Sequence, residues 1–305
     1  MDFSCYMRSD LACETVNAKG KGIRGATYTT VESMGFLVER LCVRTVQAER
    51  ETGKPRGEYR TVHCGRMHLL SEQSERALCH LLASFLSSMA QQLTGRCIDE
   101  EFSLLVVGLG NRELTADAVG PLTLNRLTAT RHLQKYENEL YRSMGAASVT
   151  LLSPGVMGQT GMEASEAVGG AIRAVHPHLV LLIDALAARD CERLASTVQL
   201  SNVGISPGAG VGNHRKALTR ETLGVPVITL GVPTVVNSSA LIFSALQQAN
   251  MNKIDDSLRK VLENGEHFFV TPKDCDSIVQ GVSRLLSSSI ELAFFDLIPS
   301  ASSIF

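Results

Sequence analysis

The sequence predicts an α/β protein: a mixed, centrally parallel sheet flanked by helices. Three observations carry this. Leu104–Leu109, broken only by Gly108, and Leu179–Ile183 are apolar runs of strand length, as in strands covered on both faces. Stretches with helical spacing alternate with these runs, which is the α/β order. The chain has 305 residues, 44% hydrophobic and 20% charged, an ordinary globular composition with length enough for a large core.

In chain order, residues 1–25 are weakly patterned and read as an extended arm. Phe36–Thr45 alternates loosely and reads as a strand. Glu49–Tyr59, with Gly53, Pro55 and Gly57, reads as a turn region, and Arg60–His63 as the returning strand. Ser71–Leu93 places Ala77, Leu78, Leu81, Leu82, Phe85 and Met89 at helical spacing. Pro121 is expected to open a helix, since proline suits the first turn. Strands are then expected at Ser148–Leu152, Leu179–Ile183, Thr197–Leu200 and Pro226–Leu230, and helices at Glu163–Val175, Val235–Gln247 and Ser277–Phe294. The shorter strands join the main sheet or form a small second one. No linker divides the chain, so one domain is expected.

Bulk properties exclude several classes. A net charge of −2 gives no basic footprint for nucleic acid. No apolar run approaches the ~18 residues of a membrane helix, and residues 1–8 lack a secretory pattern, so a soluble cytoplasmic protein is expected. The eight cysteines are scattered with no C-x-x-C pair, which reads as reduced thiols.

Ligands in open α/β sheets bind beyond the carboxyl ends of strands. Asp117 follows the turn Gly108-Leu109-Gly110-Asn111 and precedes a helix, and it is either a site acid or an N-cap. Asp184 directly follows an apolar strand. Burial there raises its pKa unless it pairs, with Arg189 as the nearby candidate. The glycine-rich turn Ser153–Glu163 offers N–H groups for an oxyanion or peptide carbonyl, with Gly155, Gly158, Gln159, Thr160 and Glu163 as candidates, or it is simply a turn. It lacks the Gly-Lys-Ser/Thr ending of a phosphate loop. Ser206–Lys216 has G-x-G-x-G spacing, which is not a dinucleotide fingerprint, so no nicotinamide cofactor is expected. His214 in that cluster is a candidate site residue or a structural histidine. No G-x-S-x-G elbow or H-E-x-x-H helix occurs. Two acids on one sheet rim can share a proton and serve as base and acid for peptide hydrolysis, or they can hold a metal that activates water.

The motifs Val107–Asn111 with Asp117–Pro121, Ser153–Gly161, Asp184–Arg189, Gly208–Asn213, Gly231–Val236 and Val270–Lys273, in this order, resemble the germination protease family of endospore-forming bacteria, an atypical aspartic peptidase family. The resemblance covers nearly the whole chain. It implies a fold similar to hydrogenase maturation peptidases, a homotetramer in the spore core, and cleavage of small acid-soluble spore proteins during germination. It assigns Asp117 and Asp184 as the catalytic pair. Arg8–Glu14 resembles the family's zymogen-processing site: an acidic residue, the scissile bond, an apolar residue, Ala, any residue, then Glu. It implies residues 1–10 as a propeptide cut at Asp10-Leu11, and residues 11–305 as a single peptidase domain. No cofactor, resident metal, nucleic acid or membrane partner is implied. Ala116, Asn237 and His214 depart from the family's usual proline, aspartate and lysine; Asn237 removes a charge near the site. The alternatives are a metal-dependent peptidase like those of hydrogenase maturation, and an inactive relative that binds spore proteins.

Overall fold

The computed structural model describes residues 9–19, 22–208, 215–249, 257–258, 260–261 and 268–295. Among these, nine strands form one sheet. They are β1 (Ala26–Ser33), β2 (Phe36–Val43), β3 (Gly57–His63), β4 (Ser103–Gly108), β5 (Ser148–Leu152), β6 (Leu179–Ala188), β7 (Thr197–Ser201), β8 (Val227–Asn237) and β9 (Phe269–Val270). The order is β1-β2-β3-β7-β8-β6-β4-β5, with β9 on the end of β8. The neighbours β8-β6-β4-β5 are parallel, while β1, β2, β3 and β7 pair antiparallel, as does β9. The sheet is therefore mixed and single; no second sheet forms among the described residues.

The helices are α1 (Ala12–Lys19), α2 (Val46–Thr52), α3 (Glu72–Thr94), α4 (Val119–Leu124), α5 (Arg131–Tyr136), α6 (Asn138–Met144), α7 (Met157–Thr160), α8 (Ala164–Val175), α9 (Arg220–Leu223), α10 (Ser238–Gln248) and α11 (Cys275–Phe294). The period-two alternation of the parallel strands splits the core in two. Leu104 and Val106 of β4, Leu181 and Ile183 of β6, and Leu230 and Val232 of β8 pack beneath α3 and α11. Leu105, Val107, Val180 and Leu182 face the other way, onto Val168 and Ile172 of α8. Both faces of β4 and β6 are thus covered, which is why these segments are almost wholly apolar.

Five expectations need correction. Residues 12–19 are helix α1 rather than extended arm. The region 49–59 holds most of α2 and the start of β3: Thr45 caps α2 by accepting from the Ala48 N–H at 3.1 Å, and Gly53 ends it at φ +68°. Asp184 does not terminate its strand, because β6 runs on to Ala188. Val235–Asn237 continue β8, so α10 starts at Ser238. Pro121 is the third residue of α4, not its first. In the Asp184 and Val235 cases β6 and β8 pair with each other through Ala188 and Val236, past the point where β4 stops at Ile183. Tertiary pairing thereby lengthens both strands.

Each of the seven described cysteines is a free thiol. No helix among the described residues is long and apolar enough to cross a membrane.

Candidate active site

The carboxyl end of β4 turns sharply at Gly110, whose φ is +110°. A Cβ there would lie 2.0 Å from the Asp117 carbonyl oxygen, so only glycine lets the Asp117 turn fold back this closely. The turn is fastened by the Asn111 N–H, which donates to Asp117 Oδ2 at 2.7 Å, and by the Asp117 N–H, which donates to the Leu114 carbonyl at 2.8 Å. Thr234 Oγ1 of β8 donates to the Ala116 carbonyl at 2.6 Å. Ala116, the departure from proline, is thus held by a side-chain bond. The N-cap of α4 is Ala118, with no side-chain hydrogen bond, so Asp117 is not spent as a cap.

Asp184 sits where β4 ends. The last β4–β6 pair is Gly108 with Ile183, and the Leu109 N–H still donates to the Ile183 carbonyl at 2.8 Å. One residue further, Asp184 continues the row of Val180 and Leu182. It is 5% exposed and accepts the Ala185 N–H at 3.0 Å. The cation that offsets its charge is Arg215, not Arg189.

Asp117 and Asp184 line one cavity of about 460 Å³, together with Asp10, Arg215 and apolar walls that include Leu114 and Phe269. Burial raises the pKa of Asp184 well above 3.8, and the charges of Asp117 and Asp10 push it further. Burial also raises Asp117, but the Asn111 N–H and Arg215 pull it back. Both acids are thus biased toward the protonated form, Asp184 the more strongly of the two. Among the described residues, no group of three or more His, Cys, Asp or Glu is placed to hold a metal ion.

The glycine-rich turn reaches the cavity only near its start. Gly155, with φ +69°, and Val156 line it. Gly158, Gln159 and Thr160 form the exposed helix α7, and the N–H groups of Gln159 and Thr160 donate to the Val156 carbonyl. Gln159 Nε2 donates to Asn111 Oδ1 at 3.0 Å, which braces the turn holding Asp117. Glu163 is the N-cap of α8, its N–H donating to the Glu166 carboxylate at 2.9 Å, and it does not line the cavity. His214 lies outside the described residues. Asn237 accepts the Ser239 N–H at 2.8 Å at the start of α10.

Asp10 is partly buried and Leu11 fully buried. The Asp10 N–H donates to the Ala187 carbonyl at 2.9 Å, and the Ala187 N–H donates to the Asp10 carboxylate at 2.8 Å. Leu11 is fully buried with Leu186, Ala188, Val236 and Ala240. Sequence reasoning missed Arg215 and Lys54. Arg215 lies at the end of a quoted glycine cluster, and its charge beside two expected acids was the available signal. Lys54 lies in what reads as a turn, and nothing in the sequence marks it.

Comparison with known proteins agrees with the motif reading. The family model described as germination protease matches residues 7–251. A germination protease of Caldanaerobacter subterraneus subsp. tengcongensis is 35% identical, covering 94% of this chain and 94% of its own. One from Clostridium perfringens is 33% identical with the same coverage of both chains. One from Bacillus pumilus is 42% identical over 78% of this chain and 66% of its own. Among solved structures, a [NiFe] hydrogenase maturation protease from Thermococcus kodakarensis is similar at a TM-score of 0.34 and 16% identity, covering 63% of this chain and 94% of that one. The matched family spans most of the chain, including both aspartates and the turns that carry them, and the chain therefore belongs to the germination protease family, a family of peptidases of spore germination.

Proposed function

We propose that this chain is an endopeptidase that begins the degradation of small acid-soluble spore proteins during germination. It is made as a zymogen with residues 1–10 as propeptide, processes itself between Asp10 and Leu11, and works as a homotetramer in the spore core through one peptidase domain. Asp117 and Asp184 carry the chemistry.

One observation carries this reading: two carboxyl groups line a single cavity, and burial with neighbouring charge raises Asp184 well above the usual range while the Asn111 N–H and Arg215 oppose the rise at Asp117. Asp117, ionised, takes a proton from a water molecule as the water oxygen attacks the peptide carbonyl. Asp184, protonated, gives its proton to the carbonyl oxygen, and a tetrahedral diol forms. Asp117 then passes its proton to the amide nitrogen, the C–N bond breaks, and one diol hydroxyl returns a proton to Asp184. The pair ends as it began. Gly110 and the Asn111 N–H position Asp117, and that N–H and Arg215 favour its ionised form against the effect of burial.

The test is cleavage of a small acid-soluble spore protein by the full chain and by residues 11–305, followed by mass spectrometry. The truncated chain should cut, and Asp117→Asn or Asp184→Asn should abolish cutting. Failure of the truncated chain to cut, or full activity in both variants, defeats the assignment. A chelator should leave the rate unchanged; a chelator-sensitive rate restored by a divalent cation favours the acids as metal ligands instead.

A further inference from the structure

Strand β8 breaks step once, next to the acid pair. It pairs with β6 residue for residue from Val180 with Val227 to Leu186 with Pro233, and then resumes with Ala187 opposite Val235. Thr234 is the extra residue, without a β6 partner. Such a bulge is rare between parallel strands. Pro233 suits it, because proline in a central strand is confined to places where the ladder needs no N–H. The Pro233 carbonyl still accepts the Ala195 N–H at 2.8 Å. Bulges beside active sites re-aim a side chain. Here that side chain is Thr234, which is 1% exposed and lines the cavity of Asp117 and Asp184.

The Thr234 hydroxyl donates to the Ala116 carbonyl at 2.6 Å, one residue before Asp117. Other bonds hold the same turn less firmly against the sheet. The Asn111 and Asp117 N–H groups bond to Asp117 Oδ2 and to the Leu114 carbonyl, which closes the turn on itself. Thr115 Oγ1 donates to Asp276 Oδ1 of α11 at 2.7 Å, but that bond is exposed, so water can replace it. The Thr234 bond is buried, and it joins the turn to β8, the strand paired with the Asp184 strand. Its loss would leave a buried carbonyl without a donor.

We propose that Thr234 is a positioning residue for the acid pair: the bulge at Pro233-Thr234 aims its hydroxyl at the Ala116 carbonyl, and that bond sets Asp117 against Asp184. The two acids come from different strands, Asp117 from the turn after β4 and Asp184 from within β6. The β4–β6 ladder stops at Ile183 and holds nothing together beyond it. There β8 takes over, through its ladder with β6 and through Thr234. A relaxed turn carries the Asp117 carboxylate off the water it must deprotonate. That slows the chemical step and leaves substrate affinity unchanged. This role rests on the peptidase reading above.

The experiment compares Thr234→Val, Thr234→Ala and Thr234→Ser in the full chain, with Thr197→Val as control. Thr197 of β7 is fully buried, and its hydroxyl has no partner among the described residues. Two quantities are measured: steady-state cleavage of a small acid-soluble spore protein, and amide hydrogen exchange of residues 110–118 by mass spectrometry. Thr234→Val and Thr234→Ala should each lower kcat about tenfold and leave KM within about twofold, a part of the roughly 10²-fold cost of a 1 Å misplacement. Thr234→Ser keeps the bond and should hold kcat within about threefold of wild type. Exchange of residues 110–118 should quicken in the Val and Ala variants only. Thr197→Val should match wild type in both measurements. Val and Ala differ in size, so a folding failure in one leaves the other to decide. Equal losses in all three Thr234 variants, a loss of the same size in Thr197→Val, or wild-type kcat and exchange without the hydroxyl would each overturn the proposal. If the wild-type chain cuts nothing, quickened exchange in Val and Ala but not in Ser would retain the anchor and refute only the peptidase reading.

Discussion

Gly120→Ala tests the geometry that sets Asp117 against β6. Gly120, the second residue of α4, backs onto Gly108: a Cβ on Gly120 would stand 2.4 Å from the Leu109 carbonyl oxygen, 2.6 Å from the Leu109 nitrogen and 2.7 Å from the Ile183 carbonyl oxygen. All three are backbone atoms of the sheet and cannot swing aside. Ordinary contact begins near 3.4 Å, so the start of α4 must retreat by about 1.0 Å. Overpacking of this kind costs about 1–3 kcal/mol. The retreat carries Asp117, three residues earlier, away from Asp184. A displacement near 1 Å at a catalytic group costs roughly 10²-fold in rate. Thermal unfolding and the rate of spore-protein cleavage are measured on the same preparation, with Gly158→Ala as control. Gly158 has no atom within 4 Å of its would-be Cβ and lies in exposed α7, so alanine there should be neutral or stabilise by up to about 1 kcal/mol. A folded Gly120→Ala chain that cuts at the wild-type rate would refute the argument that this glycine contact sets the acid pair.

The remaining predictions concern charge and capping. Because the folded-state pKa of Asp184 is raised, the stability associated with its protonated form is complete below 3.8 and is lost as pH rises through the raised value. The melting temperature of Asp184→Asn should therefore exceed that of wild type by a margin that widens from about pH 4 upward; a constant margin counts against a buried, penalised carboxylate. The cleavage rate should fall on the acid side as Asp117 takes up a proton and on the alkaline side as Asp184 loses one, giving a bell in kcat/KM against pH; a rate that keeps rising with pH would contradict the assigned roles. Glu163→Ala should cost about 0.5–1 kcal/mol through the cap of α8 and leave the cleavage rate within about twofold, as measured by chemical denaturation and steady-state kinetics. A hundredfold rate loss would place Glu163 in the chemistry.

Much of the sheet was legible because its parallel strands are buried on both faces and so are written as unbroken apolar runs. Ser148–Leu152 is found as expected, and Leu104–Leu109 and Thr197–Leu200 to within a residue at an end. β1 was not legible: its sequence ATYTTVES is mostly exposed at the sheet edge, where among the described residues it pairs with β2 alone, so no apolar pattern marks it. The ends of β6 and β8 were misjudged because their extension depends on each other, a pairing between residues some fifty positions apart that no local pattern records. The candidate acids were legible as polar residues beside apolar runs. Their convergence was not, nor was the placement of Asp10, which depends on Lys54 and Gln199 reaching it from β7 and the turn before β3.

The extension of β6 past the end of β4 gives the protein a ruler. Asp184, Ala187 and the amides of residues 189 and 190 follow one another along or just beyond the same strand. At about 3.3 Å per residue, Ala187 stands some 10 Å from Asp184. The segment held against that strand, residues 10–14, is fixed by spacing as much as by composition. Glu14 lies in the first turn of α1, so moving that carboxylate one position along the chain would turn it about 100° around the helix, away from the amides of residues 189 and 190.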